Sequence, residues 1–445
     1  MLTSLRAGAP RIAAVLATTA FAAASWGADT AAPVVGSALL VDPKAIVAGD
    51  TAWMLTSATI VLMMTLPGLA FFYGGLVRKK NILSTMAQVF VAAVVVTLMW
   101  FLFGYSLAFS AGTAWLGGAG KMIGGHLTGG AGAVAVHGLM PNVPEAVFAI
   151  FQCGFAVITA ALVVGAFAER VKFGVAAIFC GIWSVLVYAP VAHWVWMPQG
   201  WLYELGVRDF AGGLVVHVNA GAAALAVALV VGPRRGLGRD PMIPSNLAYM
   251  LIGAGLLWIG WFGFNGGSAG AASAGAGLAV VNTQVAAATA ALLYALLEWV
   301  TRGQTSMVGL ATGAVAGLVA ITPAAGYVSV DSAYLFGMAG GLASYVGLVW
   351  VKPLLNIDDS LDVFAIHGMV GIVGSLMTPF LAVRSIAGFE GKPAAEALAV
   401  VAVFFYSFAV SALVMKLLDL IIGARVKAED EIDGLDLSQH GEQIE

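Results

Sequence analysis

Residues 362–383 read DVFAIHGMVGIVGSLMTPFLAV, and between Asp362 and Arg384 only His367 titrates near neutral pH. A second run, DFAGGLVVHVNAGAAALAVALVV at 209–231, carries His217 in the same way. At 1.5 Å per helical residue, either run is long enough to cross roughly 30 Å of hydrocarbon. An ionisable group at the centre of such a span is costly unless it pairs or lines a pathway. One such histidine could be a satisfied core residue; two, placed alike, call for a function.

The rest of the chain has the same character. Of its 445 residues 61% are hydrophobic and 10% charged, and the mean hydropathy is +0.96. A soluble globule of this composition could not cover its surface with polar side chains. The fold class is therefore an all-α integral membrane protein. A formal charge of −3 leaves no electrostatic footprint for nucleic acid. The 56 glycines suit close helix packing in lipid. Cys153 and Cys180 both lie in apolar runs and read as packed thiols, not as a disulfide framework or a metal site.

At the N-terminus, MLTSLRAGAPRIAAVLATTAFAAASWG pairs two arginines with an apolar stretch and small residues, which predicts a signal peptide over 1–27. Residues 28–50 follow as a periplasmic lead-in, 51–423 as the membrane domain and 424–445 as a cytoplasmic tail. Apolar stretches long enough to span number about eleven: 51–77, 84–109, 145–168, 172–194, 212–232, 246–265, 278–300, 306–326, 333–352, 362–383 and 397–423. The long connection 110–144, rich in Gly and Ala, could hold a short extra helix.

Basic residues gather in alternate loops: Arg78, Lys79 and Lys80, then Arg170 and Lys172, then Arg234, Arg235 and Arg239, then Arg302, Lys352, Arg425 and Lys427. The other loops hold only Lys44, Lys121, Arg208, Arg384 and Lys392. The positive-inside rule then puts the N-terminus outside and the C-terminus in the cytoplasm, and with the signal peptide this predicts a cytoplasmic membrane. His217 falls in the fifth span and His367 in the tenth, so they run in opposite directions. Each follows an aspartate (Asp209, Asp362) and precedes a glycine four residues on (Gly221, Gly371). This pattern predicts two inverted five-helix repeats plus a C-terminal helix, with both imidazoles at the midplane.

The outer ends of several spans collect aromatic groups: Phe151 and Phe155 in FQCGF, the tryptophans of HWVWMPQGW, and Phe264 with Ser268 in GWFGFNGGSAG. Aromatic faces with a hydroxyl would hold a small cation; taken singly, the same residues could be an interfacial belt. Asp209, Asp359 and Asp362 stand where carboxylates cap helix starts. Glu169 and Arg170 read as a structural pair.

Seven stretches, PGLAFFYGGLVRKKN, GAFAERVKF, DFAGGLVVHVNAG, GWFGFNGGSAG, TPAAGY, DDSLDVFAIHGMVGIVG and GLDLSQHGE, resemble the ammonium transporters of the Amt family, relatives of the Rhesus proteins. The resemblance runs from about Thr51 to Glu442. It implies eleven helices per subunit in a homotrimer, each subunit with its own pore. It further implies an outer ammonium site at Trp196, Phe155 and Ser268, a phenyl gate of Phe155 and Phe264, and twin pore histidines His217 and His367. Asp209 would support the outer site, with Phe151 and Asp362 in supporting places; no cofactor or metal is implied. Trp194 and Gly266 stand where many members have other residues. The GLDLSQHGE tail would pack beneath the trimer, where a PII-type signal protein docks.

These readings predict a transporter for nitrogen uptake, not an enzyme. An intramembrane metalloenzyme lacks a third ligand at usable spacing and an HExxH motif. A sensor that binds ammonium without moving it shares the same pore and remains the other reading.

Overall fold

The computed structural model describes residues 35–130 and 132–444; the expected signal peptide lies outside the described residues. Lipid offers no partner to a bare peptide group, so the apolar runs close their hydrogen bonds as helices. In chain order these are α1 (Ala48–Leu76), α2 (Lys79–Phe109), α3 (Glu145–Phe167), α4 (Phe173–Leu205), α5 (Gly213–Val231), α6 (Leu247–Gly267), α7 (Ala274–Arg302), α8 (Met307–Ile321), α9 (Val330–Leu355), α10 (Phe364–Leu381) and α11 (Pro393–Ile422). Among the described residues, ten of them are long and apolar enough to cross a membrane. The exception is α8, whose 15 residues reach only about 22 Å. The run expected at 306–326 turns out of the helix after Ile321.

The helices start and stop where local chemistry allows. Ser273 and Ser306 cap α7 and α8 by accepting from Ala276 and Gly309, and Asn246 caps α6 by accepting from Tyr249. Gly303, at φ 77°, ends α7 in a conformation that other residues resist. Helix α3 is buried along almost its whole length, and α5 over most of its own. On α2, α7 and α11, by contrast, Phe90, Leu98, Leu292, Phe405 and Ile421 point outward. Such faces suit hydrocarbon, not water.

One end of the bundle carries a small sheet, drawn partly from the 110–144 connection, where the short helix it could hold is a single 3-10 turn at Met122–Gly124. Strands β1 (Leu39–Val41), β2 (Val134–His137) and β3 (Met140–Pro144) pair antiparallel in that order. Buried His137 anchors the sheet: its Nε2 donates to the Phe109 carbonyl at 2.9 Å, its Nδ1 accepts from Leu139 at 3.2 Å, and its ring stacks on Phe148. Burial, aided by the Lys121 charge, pushes its pKa down to about 3.

The opposite end holds the densest ion network among the described residues. Glu169 and Arg170 do not pair with each other there. Glu169 takes Arg78 at 2.7 Å and Arg234 at 3.4 Å, while fully buried Arg170 reaches Asp358, Ser360 Oγ and two backbone carbonyls. Arg234 forks onto Asp358, with hydrogen bonds of 2.9 and 2.8 Å.

The tail packs against this end instead of trailing free of it. Val426 donates to the Arg170 carbonyl, and a short helix, α12 (Ala428–Asp433), follows. On α12, Glu431 is buried and accepts from Arg425 and from the Arg235 amide. Leu435 then donates to Asn81, and Asp436 accepts from the Ser84 amide at the start of α2. Gly434, at φ 110°, lets the chain turn against Lys80; a Cβ there would lie 2.6 Å from the Lys80 carbonyl oxygen.

Candidate functional site

The two histidine-bearing runs begin in the same unusual way. His217 lies in a wide π-type turn, Gly213–Val218, and His367 in another, Phe364–Met369. Such turns recur where a helix must re-aim a side chain. The chain enters α5 through Gly212 at φ 116°, and Asp209 gathers the free amides of Gly212, Gly213, Leu214 and Val215 at 2.8, 2.7, 2.8 and 3.1 Å. This satisfies a whole helix start with one carboxylate.

At α10 the equivalent carboxylate is Asp359, not Asp362. Asp359 stands eight residues before His367, as Asp209 does before His217; it is buried and accepts from the Phe364 amide at 2.6 Å. Burial pushes its pKa up to about 6, with Lys352 opposing and Asp362 adding to the shift. Asp362 pairs with Lys352 instead and is partly exposed.

The glycines four residues beyond each histidine are where α5 and α10 touch. A Cβ on Gly221 would lie 2.2 Å from the Gly368 Cα, and one on Gly371 would lie 2.9 Å from the His217 Cβ. Each glycine therefore makes room for the other helix's histidine segment. As a result, His217 Nδ1 and His367 Nδ1 lie 3.2 Å apart, with both side chains buried. His217 Nε2 is buried and has no hydrogen-bond partner among the described residues.

Above this pair the aromatic groups form a layered plug. Phe264 sits 6.3 Å from His217 by ring centres, and Trp261 stacks on His217 at 5.4 Å. Phe155 lies face to face with Phe264, with centroids 4.0 Å apart and planes within 13°. Trp196 then meets Phe155 edge-on at 5.8 Å, held by its Nε1 donating to the Asp209 carbonyl at 2.9 Å.

Cavities lie on both sides of the plug. Toward the sheet end, one of about 200 Å³ is lined by Trp196, Phe155, Ser268, Gln152, Arg208 and Tyr327, among others. Below Phe264, a pocket of about 10 Å³ is lined by His217, His367, Trp261 and apolar side chains. That volume corresponds to roughly one water-sized molecule.

Of the residues singled out from sequence, Trp196, Phe155, Ser268, Asp209, Phe264, His217 and His367 thus fall along the two cavities. Phe151 does not line either; it packs edge-on behind Phe155 at 5.0 Å and against Gly267. Trp194 stands behind the wall, against Tyr406 and Trp201. Sequence reasoning missed Gln152, whose buried Oε1 has no partner among the described residues although the side chain lines the outer cavity. Its place within FQCGF, one turn before Phe155, was the available signal. It also missed Arg208, next to Asp209.

Together these features define a multi-pass α-helical membrane protein with two cavities on one line, separated by stacked phenyl rings. The chain belongs to the ammonium transporter family, whose profile, the Ammonium Transporter Family, matches residues 52–445. It is 43% identical over 407 residues to the ammonium transporter of Aquifex aeolicus, covering 88% of this chain and 92% of that one. Candida albicans Mep2 superposes with a TM-score of 0.80 at 36% identity, covering 87% of this chain and 88% of that chain. A structure named Sensor Amt Protein aligns with a TM-score of 0.81 at 30% identity, covering 88% of this chain and 98% of that chain.

Proposed function

We propose that the chain serves nitrogen uptake: it recruits ammonium in the outer cavity, strips a proton near the phenyl gate, and passes ammonia along His217 and His367 while the proton is relayed separately. The observation that carries this is the order of groups on one line, from Trp196 and Ser268 through Phe155 and Phe264 to the two imidazoles. An unpaired cation entering a pocket lined by Phe264, Trp261 and Val315 costs tens of kcal/mol in the Born limit. Cation–π contacts return only about 2 kcal/mol. The ion can therefore bind above the gate but must lose its charge below it.

Neutral imidazoles suit the lower pocket. With their Nδ1 atoms turned to each other, the outward nitrogen of one ring accepts and that of the other donates, so ammonia finds both kinds of partner. Family membership supports eleven spans per subunit in two inverted halves plus α11, a homotrimer with one pore per subunit, and the sheet end facing the periplasm. The docked tail supports a cytoplasmic regulatory surface for a PII-type signal protein.

The test is ammonium-dependent current and flux in proteoliposomes. Saturable ammonium flux, with none for sodium or potassium, is the expected result; no ammonium-driven flux at all ends this reading. The likeness to the Sensor Amt Protein favours a second reading, in which ammonium binding moves the tail. Binding without flux would select it.

A further inference from the structure

Arg208 lines the same outer cavity as Trp196, Phe155 and Ser268, which places a cation in a chamber assigned to a cation. Its guanidinium is held firmly: Nη1 donates to the carbonyls of Tyr203 and Val207 at 3.0 and 2.7 Å. The guanidinium carbon lies 4.0 Å from the Tyr203 ring centre and 5.7 Å from that of Phe389. Both hydrogen bonds go to neutral acceptors, so they leave the charge uncancelled.

Neither neighbouring acid forms an ion pair with it. Asp209, on the same cavity wall, keeps its own charge but spends both oxygens on four backbone amides and makes no hydrogen bond or ion pair with the Arg208 guanidinium among the described residues. Glu396, buried at the start of α11, meets Arg208 only through the backbone amide, at 3.4 Å, and its other oxygen has no partner among the described residues.

We propose that Arg208 is a specificity-determining residue of the outer chamber: a fixed positive charge that weakens ammonium capture, makes it dependent on salt, and confines the ion to the Trp196 side by occupying the face of Tyr203. The inference rests on the ammonium reading of this cavity. Its physical basis is Coulomb repulsion across a partly hydrated space, which mobile ions screen over about 8 Å at physiological ionic strength.

The experiment is an ammonium titration of the purified full chain, followed by tryptophan fluorescence, for wild type, Arg208→Gln and Arg208→Lys. At low ionic strength Arg208→Gln is expected to lower the half-saturating concentration about two- to sixfold, while Arg208→Lys stays near wild type. At roughly 0.5 M salt the difference should collapse. Equal half-saturation in Arg208→Gln and wild type, or a shift of the same size at both salt levels, overturns the proposal. So does Arg208→Lys behaving like Arg208→Gln, which would assign the effect to guanidinium packing. If the stated shift appears in protein that conducts no ammonium in proteoliposomes, the transport reading fails and the charge on the chamber wall stands.

Discussion

His217 and His367 meet through their Nδ1 atoms, 3.2 Å apart, with ring planes within 23°. Of two neutral rings so placed, one must donate and the other accept, because a neutral imidazole has a single N–H. Each therefore fixes the tautomer of the other.

Removing either ring leaves a buried nitrogen without its partner, at a cost of about 1–3 kcal/mol. His217→Ala and His367→Ala should each reduce ammonium conduction about tenfold or more, or abolish its selectivity, while the protein still assembles. Flux and selectivity measured in the double variant decide the matter: wild-type values there would end the pore assignment.

Trp196 offers the outer cavity an aromatic face, and its own N–H is tied to Asp209. Trp196→Leu should weaken capture by about five- to thirtyfold, the equivalent of one partly desolvated cation–π contact. The loss should show mainly at low ammonium and acidic pH, where ammonia itself is scarce. Equal losses at every concentration would mean that Trp196 only holds Phe155 and Asp209 in place.

Glu431 joins the tail to Arg425 and to the Arg235 backbone while wholly buried. Glu431→Ala removes the carboxylate from a guanidinium that is partly exposed and still donates to the Val231 and Pro233 carbonyls, a loss of about 1–3 kcal/mol for charge-assisted hydrogen bonds. Limited proteolysis should then cut after residue 424 much faster than in wild type. Deleting the chain from Glu429 should deregulate transport and remove PII binding with the helices intact. A truncated protein that is still shut by the PII partner would reduce the tail to a packed end.

His137 makes stability dependent on pH. In the fold it must stay neutral, since Nδ1 accepts from Leu139 while Nε2 donates to Phe109, and its pKa lies at about 3 against about 6.5 when unfolded. The unfolded state thus binds the extra proton between these values. Stability is complete above pH 6.5 and declines as pH falls toward 3, by about 2 kcal/mol at pH 5. Thermal melts in detergent at pH 7 and pH 5 should show a smaller acid loss in His137→Gln than in wild type, and equal losses would show that this group is not responsible.

Much of this fold was legible because lipid imposes simple rules. Except at α4, which runs on to Leu205 past the expected 194, apolar runs became helices within five positions of the expected limits, and the two histidines stood out because no other titratable group lies between Asp209 and Arg234 or between Asp362 and Arg384. What stayed hidden was non-local. Strand β1 pairs with β2 from the far side of α1 and α2, and no local pattern in 110–144 announces that partner. The meeting of α5 and α10 through Gly221, Gly368 and Gly371 is a contact that only the packed helices reveal. Neighbours in sequence also misled: Glu169 and Arg170 look like a pair, but successive side chains point different ways and found separate partners. Asp362 is the acid nearer to His367 in sequence, whereas counting eight residues back from each histidine picks out Asp209 and Asp359.

Because His217 and His367 share one proton between facing nitrogens, their outward-facing nitrogens are always unlike, one bare and one bearing hydrogen. The pair therefore has a handedness, like a ratchet tooth leaning one way. In the proposed relay, each proton that hops through it leaves the tooth leaning the other way, and the next hop in the same direction must wait until it is reset. In that relay two rings must reset between like hops, in a space of roughly one water-sized molecule.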